Sequence, residues 1–120
     1  MAASGNELLL RANERDPATV LKARRFLDAH HAEGIALSQV ARAVNASTTY
    51  FSKRFKEATG MTFIEYLGRV RIEKAKNLLQ NPNLCVSAIA LEVGFRSVSQ
   101  FNRTFKKVTG RSPKQLRPRQ

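Results

Sequence analysis

The chain has 120 residues, 42% of them hydrophobic, with 21 Lys and Arg against 9 Asp and Glu for a formal net charge of +12. That length fits one small domain or two very small ones sharing a core, and the ordinary apolar content argues against disorder apart from the ends. No apolar run approaches the roughly 20 residues that span a bilayer, Met1-Ala2-Ala3-Ser4 opens no signal peptide, and the single Cys85 excludes an internal disulfide.

Residues 1–15 show no sustained pattern and read as a linker or disordered N-terminus. Asp16-Pro17 is a helix start, with Asp at the N-cap and Pro at the first helical position. Val20, Ala23, Phe26 and Leu27 then form an apolar stripe that ends near His31, and Gly34 closes the segment. His30 and His31 have no carboxylate or Cys spaced to join them in a metal site, so they read as capping or surface residues.

Ser38 is the expected N-cap of the next helix, with Val40, Ala41 and Val44 inward. Asn45-Ala46 makes a turn, because Asn tolerates the left-handed conformation. Ser47 or Thr48 caps a second helix with Phe51, Phe55 and Ala58 inside, and Gly60 ends it. Thr62-Phe63-Ile64-Glu65 is a capping box with Met61 and Tyr66 as its hydrophobic staple. The long helix it opens buries Leu67, Val70, Ala75, Leu78 and Leu79 and stops at Asn81-Pro82-Asn83.

The earlier pattern then returns. Phe55-Lys56-Glu57-Ala58-Thr59-Gly60 is echoed by Phe105-Lys106-Lys107-Val108-Thr109-Gly110, and Ser38–Val44 by Ser87–Val93. Ser87 is the expected cap, with Ile89, Ala90 and Val93 inward. Gly94-Phe95 turns the chain, and Ser97 caps a helix with Phe101, Phe105 and Val108 inside, ended by Gly110. Ser112-Pro113 starts one more turn before Arg117-Pro118-Arg119. Cys85, with no ligand-spaced companion, reads as a small core residue, and its solitary thiol fits a reducing cytoplasm.

The predicted fold is therefore all-α: two helix-turn-helix subdomains of homeodomain-like plan, at 16–61 and 84–117, bridged by a long helix at 62–81. A basic tail follows at 118–120. The charge follows this division. Residues 1–36 are balanced, residues 37–83 carry +5 and residues 84–120 carry +7. An excess confined to the repeats points to a polyanion, nucleic acid rather than a membrane surface. Inward phenylalanines leave Thr49, Ser52, Lys53 and Lys56 outward on one second helix, and Ser99, Asn102, Arg103 and Lys106 on the other. Arg can grip guanine O6 and N7 with two hydrogen bonds, Asn suits adenine, and Ser and Thr adapt to either. Later or capping residues suit phosphate, namely Ser47, Thr48, Lys56, Ser97, Lys106 and Lys107. Tyr50 and Gln100 occupy matched positions that either bind phosphate or pack. Scattered carboxylates, singly placed glycines and no Ser or Cys beside a base leave catalysis, cofactor and metal without support.

Residues from about 17 to 117 resemble the DNA-binding domain of the AraC/XylS family of bacterial transcription regulators. The resemblance rests on Ile89-Ala90, Val93-Gly94-Phe95, Ser97, Phe101, Arg103, Phe105-Lys106, Gly110, Ser112-Pro113 and Arg117, and on Tyr66–Ile72 with Ala75 and Leu78-Leu79. It implies seven helices and sequence-specific promoter binding, usually to activate transcription by contacting RNA polymerase, in the cytoplasm on the nucleoid. The family's base-reading positions fall on Thr49, Ser52, Lys53, Ser99, Asn102 and Arg103. The first unit departs most, with Asn45-Ala46 in place of a Gly-aromatic pair and Lys53 where Arg is frequent. No stretch is long enough for an effector-binding or dimerisation domain, so the chain is expected to be the DNA-binding end of a longer regulator. The alternatives are a stand-alone regulator and a protein-binding adaptor with only non-specific DNA contact.

Overall fold

Apolar residues at helical spacing close into seven α-helices and no strand among residues 18–118, the part of the chain that the computed structural model describes. In chain order these are α1 (Ala18–His30), α2 (Leu37–Ala43), α3 (Thr48–Thr59), α4 (Phe63–Leu78), α5 (Val86–Glu92), α6 (Val98–Thr109) and α7 (Pro113–Leu116). The expected helix start at Asp16-Pro17, the segment 1–15 and the final two residues lie outside the described part. The chain divides into two compact units, one formed by the residues through His30 with Ile35–Leu67, the other by His31–Gly34 with the residues from Gly68 onward. The α4 helix runs from one into the other.

In the first unit α1 packs on α2 and α3, and α2 on α3. The buried side chains are Val20, Ala23 and Leu27 from α1, Val40 and Ala41 from α2, Phe51 and Phe55 from α3, and Tyr66 and Leu67 from α4, with Val44 at the turn. Phe55 meets Phe51 at 5.4 Å and stands edge-on to Tyr66 at 5.3 Å. Burying each such ring stabilises by roughly 1.5–3 kcal/mol. Phe26 is only half-buried, its ring lying 4.5 Å from that of His30. Arg24 is the unexpected member of this core. It is 5% exposed, its Nε donates to Tyr66 Oη at 3.1 Å and its guanidinium lies over the Tyr66 ring. A buried cation persists only with such partners.

The second unit buries Ile72 and Ala75 of α4, and Leu79 just after it, with Ile89, Ala90, Val93, Phe95, Phe101 and Phe105. Phe101 touches both Phe95 (5.3 Å) and Phe105 (5.5 Å). Two arginines serve backbone carbonyls here. Arg71 donates through Nε to His31 O at 2.7 Å and through Nη2 to Glu33 O at 3.0 Å, with its guanidinium over the Phe95 ring. Burial pushes its pKa down from the usual value. Arg117, expected to border the basic tail, instead donates to the carbonyls of Leu79, Asn81 and Leu84 in the segment between α4 and α5.

The duplicated ends are duplicated in detail. Ser47 Oγ accepts from Tyr50 N and Ser97 Oγ from Gln100 N, each at 3.1 Å. Gly60 and Gly110 close α3 and α6 at φ 77° and 83°. The preceding threonines match as well, Thr59 donating to Phe55 O at 2.7 Å and Thr109 to Phe105 O at 2.8 Å. Each also accepts from the amide two residues on, Met61 N at 3.1 Å and Arg111 N at 3.2 Å. Thr62 caps α4, accepting from Glu65 N at 3.1 Å. Replacing Ser97 by Ala orphans the Gln100 amide, and the denaturation midpoint should drop by the equivalent of about 1 kcal/mol; an unchanged midpoint would show that water replaces the cap without cost.

Three expectations need correction. The N-cap of α2 is Ala36, not Ser38; Gln39 at the third helical position reaches back, its Oε1 accepting from Ala36 N at 2.7 Å. The N-cap of α5 is Cys85, not Ser87. This earlier start also overturns the core placement of Cys85. Its residue lies outside the first turn and is exposed, with Sγ 3.3 Å from Ser87 Oγ, while Leu84 and Val86 supply the apolar contacts on either side. The bond with Ser87 is the main reason its thiol sits below the usual pKa.

Candidate nucleic-acid interface

The spacing of two phenylalanines four residues apart fixes the phase of each twelve-residue helix, because i and i+4 share a face. Phe51 and Phe55 on α3, and Phe101 and Phe105 on α6, are all 0% exposed. The opposite faces must then be solvent-facing. Each residue expected to read bases is exposed: Thr49, Ser52 and Lys53 on α3, and Ser99, Asn102 and Arg103 on α6. The residues expected at phosphates, Ser47, Thr48, Lys56, Ser97, Lys106 and Lys107, are exposed too. Ser47 and Ser97 already use an oxygen lone pair to cap, which leaves the O–H of each free to donate to an anion. Tyr50 (53% exposed) and Gln100 lie on the surface, so neither takes the packing role open to it.

The turns that aim these helices use left-handed backbone. Asn45 has φ 58° and Gly94 has φ 107°. The first is a conformation Asn reaches; the second suits glycine. A Cβ at Gly94 would lie 2.7 Å from His31 O and 2.9 Å from Arg71 Nε, so the turn also needs the missing side chain. The same Arg71 lies over Phe95, which contacts Phe101 on α6. The outward face of α6 is thus backed by the series Arg71, Phe95 and Phe101.

The two faces differ electrostatically. On α3, Arg54 Nη1 lies 3.5 Å from Glu57, and Lys56 Nζ lies 4.0 Å from Glu65. On α6, Arg103, Lys106 and Lys107 are paired with no carboxylate among the described residues. In the second unit Asn102, Arg103 and Lys106 line a shallow cleft of about 480 Å³ together with Val86, Ser112, Pro113 and Lys114. Lys114 and Arg111 were not among the expected contacts, although the fifty-residue offset contains their signal, since Ile64 and Met61 stand at the matching places. Among the described residues no helix is long and apolar enough to cross a membrane, and no three His, Cys, Asp or Glu cluster as metal ligands.

Residues 40–119 match a family model described as a helix-turn-helix domain. An uncharacterized HTH-type transcriptional regulator of Staphylococcus aureus is 38% identical over 92 residues, 77% of this chain and 12% of that protein. The C-terminal domain of AraT, a response regulator from Geobacillus stearothermophilus, superimposes with a TM-score of 0.80 at 36% identity, covering 86% of each chain. The DNA-binding domain of the global transcriptional factor AdpA, solved with a target DNA, gives a TM-score of 0.76 at 26% identity, covering 85% of this chain and 90% of that one. This chain spans 38% and 12% of the length of the first two curated relatives it matches.

Proposed function

As this chain belongs to the AraC-type helix-turn-helix family of DNA-binding transcription regulators, we propose that it binds a specific promoter sequence by placing α3 and α6 in successive major-groove segments. The observation that carries this reading is the matched pair of capped helices, each presenting an exposed polar face opposite two buried phenylalanines. Thr49, Ser52, Lys53, Ser99, Asn102 and Arg103 serve as base readers, and Ser47, Thr48, Lys56, Ser97, Lys106 and Lys107 as phosphate contacts. The relative solved on its target DNA supports duplex DNA as the ligand. The small share of its relatives' length supports a role as the DNA-binding part of a longer, signal-responsive regulator, with any dimerisation domain elsewhere. Such a regulator would act on the cytoplasmic nucleoid, most simply as an activator that contacts RNA polymerase. Leu91, 61% exposed on a helix that carries none of the readers, suits that protein contact.

Selection from a random duplex pool, followed by footprinting of the winning site, tests the reading. Adjacent major-groove segments on one side of B-DNA lie roughly 34 Å apart. The expected footprint is therefore two protected segments about one helical turn apart on an asymmetric site, made by a monomer. A single protected groove, or a requirement for a palindrome, contradicts the two-helix reading. Equal affinity for selected and random duplex would make the chain a non-specific DNA contact serving a protein adaptor.

A further inference from the structure

The two copies differ in charge in the last turn of their recognition helices and just beyond. Aligned by the Thr-Gly corner, Lys107, Arg111 and Lys114 of the second copy stand where the first has Glu57, Met61 and Ile64. The alignment is structural as well as sequential. Ser112 and Thr62 both cap the following helix, with Gln115 and Glu65 each donating its backbone N–H to that cap at 3.1 Å. In the second copy the cleft between α6 and α7 has Val86 and Pro113 among its apolar lining, and Lys106, Lys114 and Arg103 as its charged residues. No carboxylate lines it. In the first copy the corresponding lysine, Lys56, is near Glu65, and Ile64 is 69% exposed in place of the second cation.

Lysines with no acidic partner beside an apolar floor suit a chain of alternating anion and sugar. A deoxyribose presents carbon to Val86 and Pro113, while the neighbouring phosphate meets the ammonium groups. At about 480 Å³ the cleft lies within the roughly 300–1,000 Å³ typical of ligand sites. We propose that the α6–α7 cleft seats a DNA backbone phosphate, held by Lys106 and Lys114, and that the first copy has no counterpart to this seat. The proposal rests on the DNA-binding reading, and it extends the interface beyond the recognition helix to α7.

The test uses the full chain, the selected duplex and a random duplex of equal length. Lys114→Ala should weaken binding to both duplexes by the same factor and make the slope of log K against log salt shallower by about 0.9, one phosphate's worth. Ethylation interference should lose its effect at one phosphate in this variant. Ile64→Ala should leave slope and interference pattern as they are. A Lys114→Ala slope equal to that of wild type overturns the seat. So does a loss no larger than that of Lys22→Ala, which removes the same charge from α1. If the wild-type chain binds neither duplex, the DNA-binding reading itself fails, a result distinct from either of these.

Discussion

Gly94→Ala should destabilise the second unit by about 2–5 kcal/mol, combining the strain of a positive-φ residue with the cost of an overpacked contact. At φ 107° the backbone is strained for any L side chain, and a Cβ would press to 2.7 Å from His31 O. Relief requires moving either the His31–Gly34 segment or Arg71, which already bonds two carbonyls of that segment. The counterpart in the first unit is a control within the same molecule. Asn45 sits at φ 58°, where Asn is tolerated, so Asn45→Gly should change little and Asn45→Ala should cost about 1–2 kcal/mol. Urea unfolding followed by amide exchange assigns each loss to its unit. A Gly94→Ala protein with wild-type protection in α5 and α6 would refute the steric account.

The second large effect concerns readout. Arg103→Ala should cost about 1–3 kcal/mol on the selected site and flatten preference at one base pair, whereas Lys107→Ala should weaken every sequence alike. Both proposed multi-donor readers, Asn102 and Arg103, belong to the second unit, and the cations on the outward face of its α6 have no carboxylate partner among the described residues. The proposed readers of the first unit are two hydroxyls and Lys53, whose ammonium is a point charge rather than a rigid fork. Its Lys56 and Arg54 are partly engaged by Glu65 and Glu57. Exposed pairs of this kind contribute little to stability, but they lower the positive potential offered to DNA. The most informative positions of the selected site should therefore lie under α6. If Thr49→Ala and Ser52→Ala abolish preference while Asn102→Ala and Arg103→Ala only lower affinity, the assignment of roles is reversed.

The features that sequence made legible are those set by local rules. Phenylalanines four apart fix a helical phase, Ser immediately before the first helical residue offers a cap, and Gly after Thr ends a helix; all of these hold at α3 and α6. Exposure of the outward faces of α3 and α6 followed directly from that phase. Ser38, Ser87 and Cys85 were misjudged because several capping choices lie within two residues of one another, and Gln39 outcompeted the nearby hydroxyl at α2. The internal roles of Arg24, Arg71 and Arg117 had no local signature at all. Their partners lie 33 to 42 residues away, so each counted as surface charge in the composition. The net charge of +12 accordingly overstates what DNA can meet.

The Thr-Gly corner with its serine cap has a consequence for how such chains diversify. Caps, corners and phenylalanines hold each helix from its ends and its inner face, and none of those bonds passes through the outward residues. Thr49, Ser52 and Lys53 in one copy, and Ser99, Asn102 and Arg103 in the other, behave as letters that can be rewritten while the page stays intact. Surface exchanges clear of such anchors typically change stability by less than about 0.5 kcal/mol. A duplicated unit of this construction can acquire a new target preference in one copy while the other preserves attachment. The same property would let a designer alter the halves of its binding site one at a time.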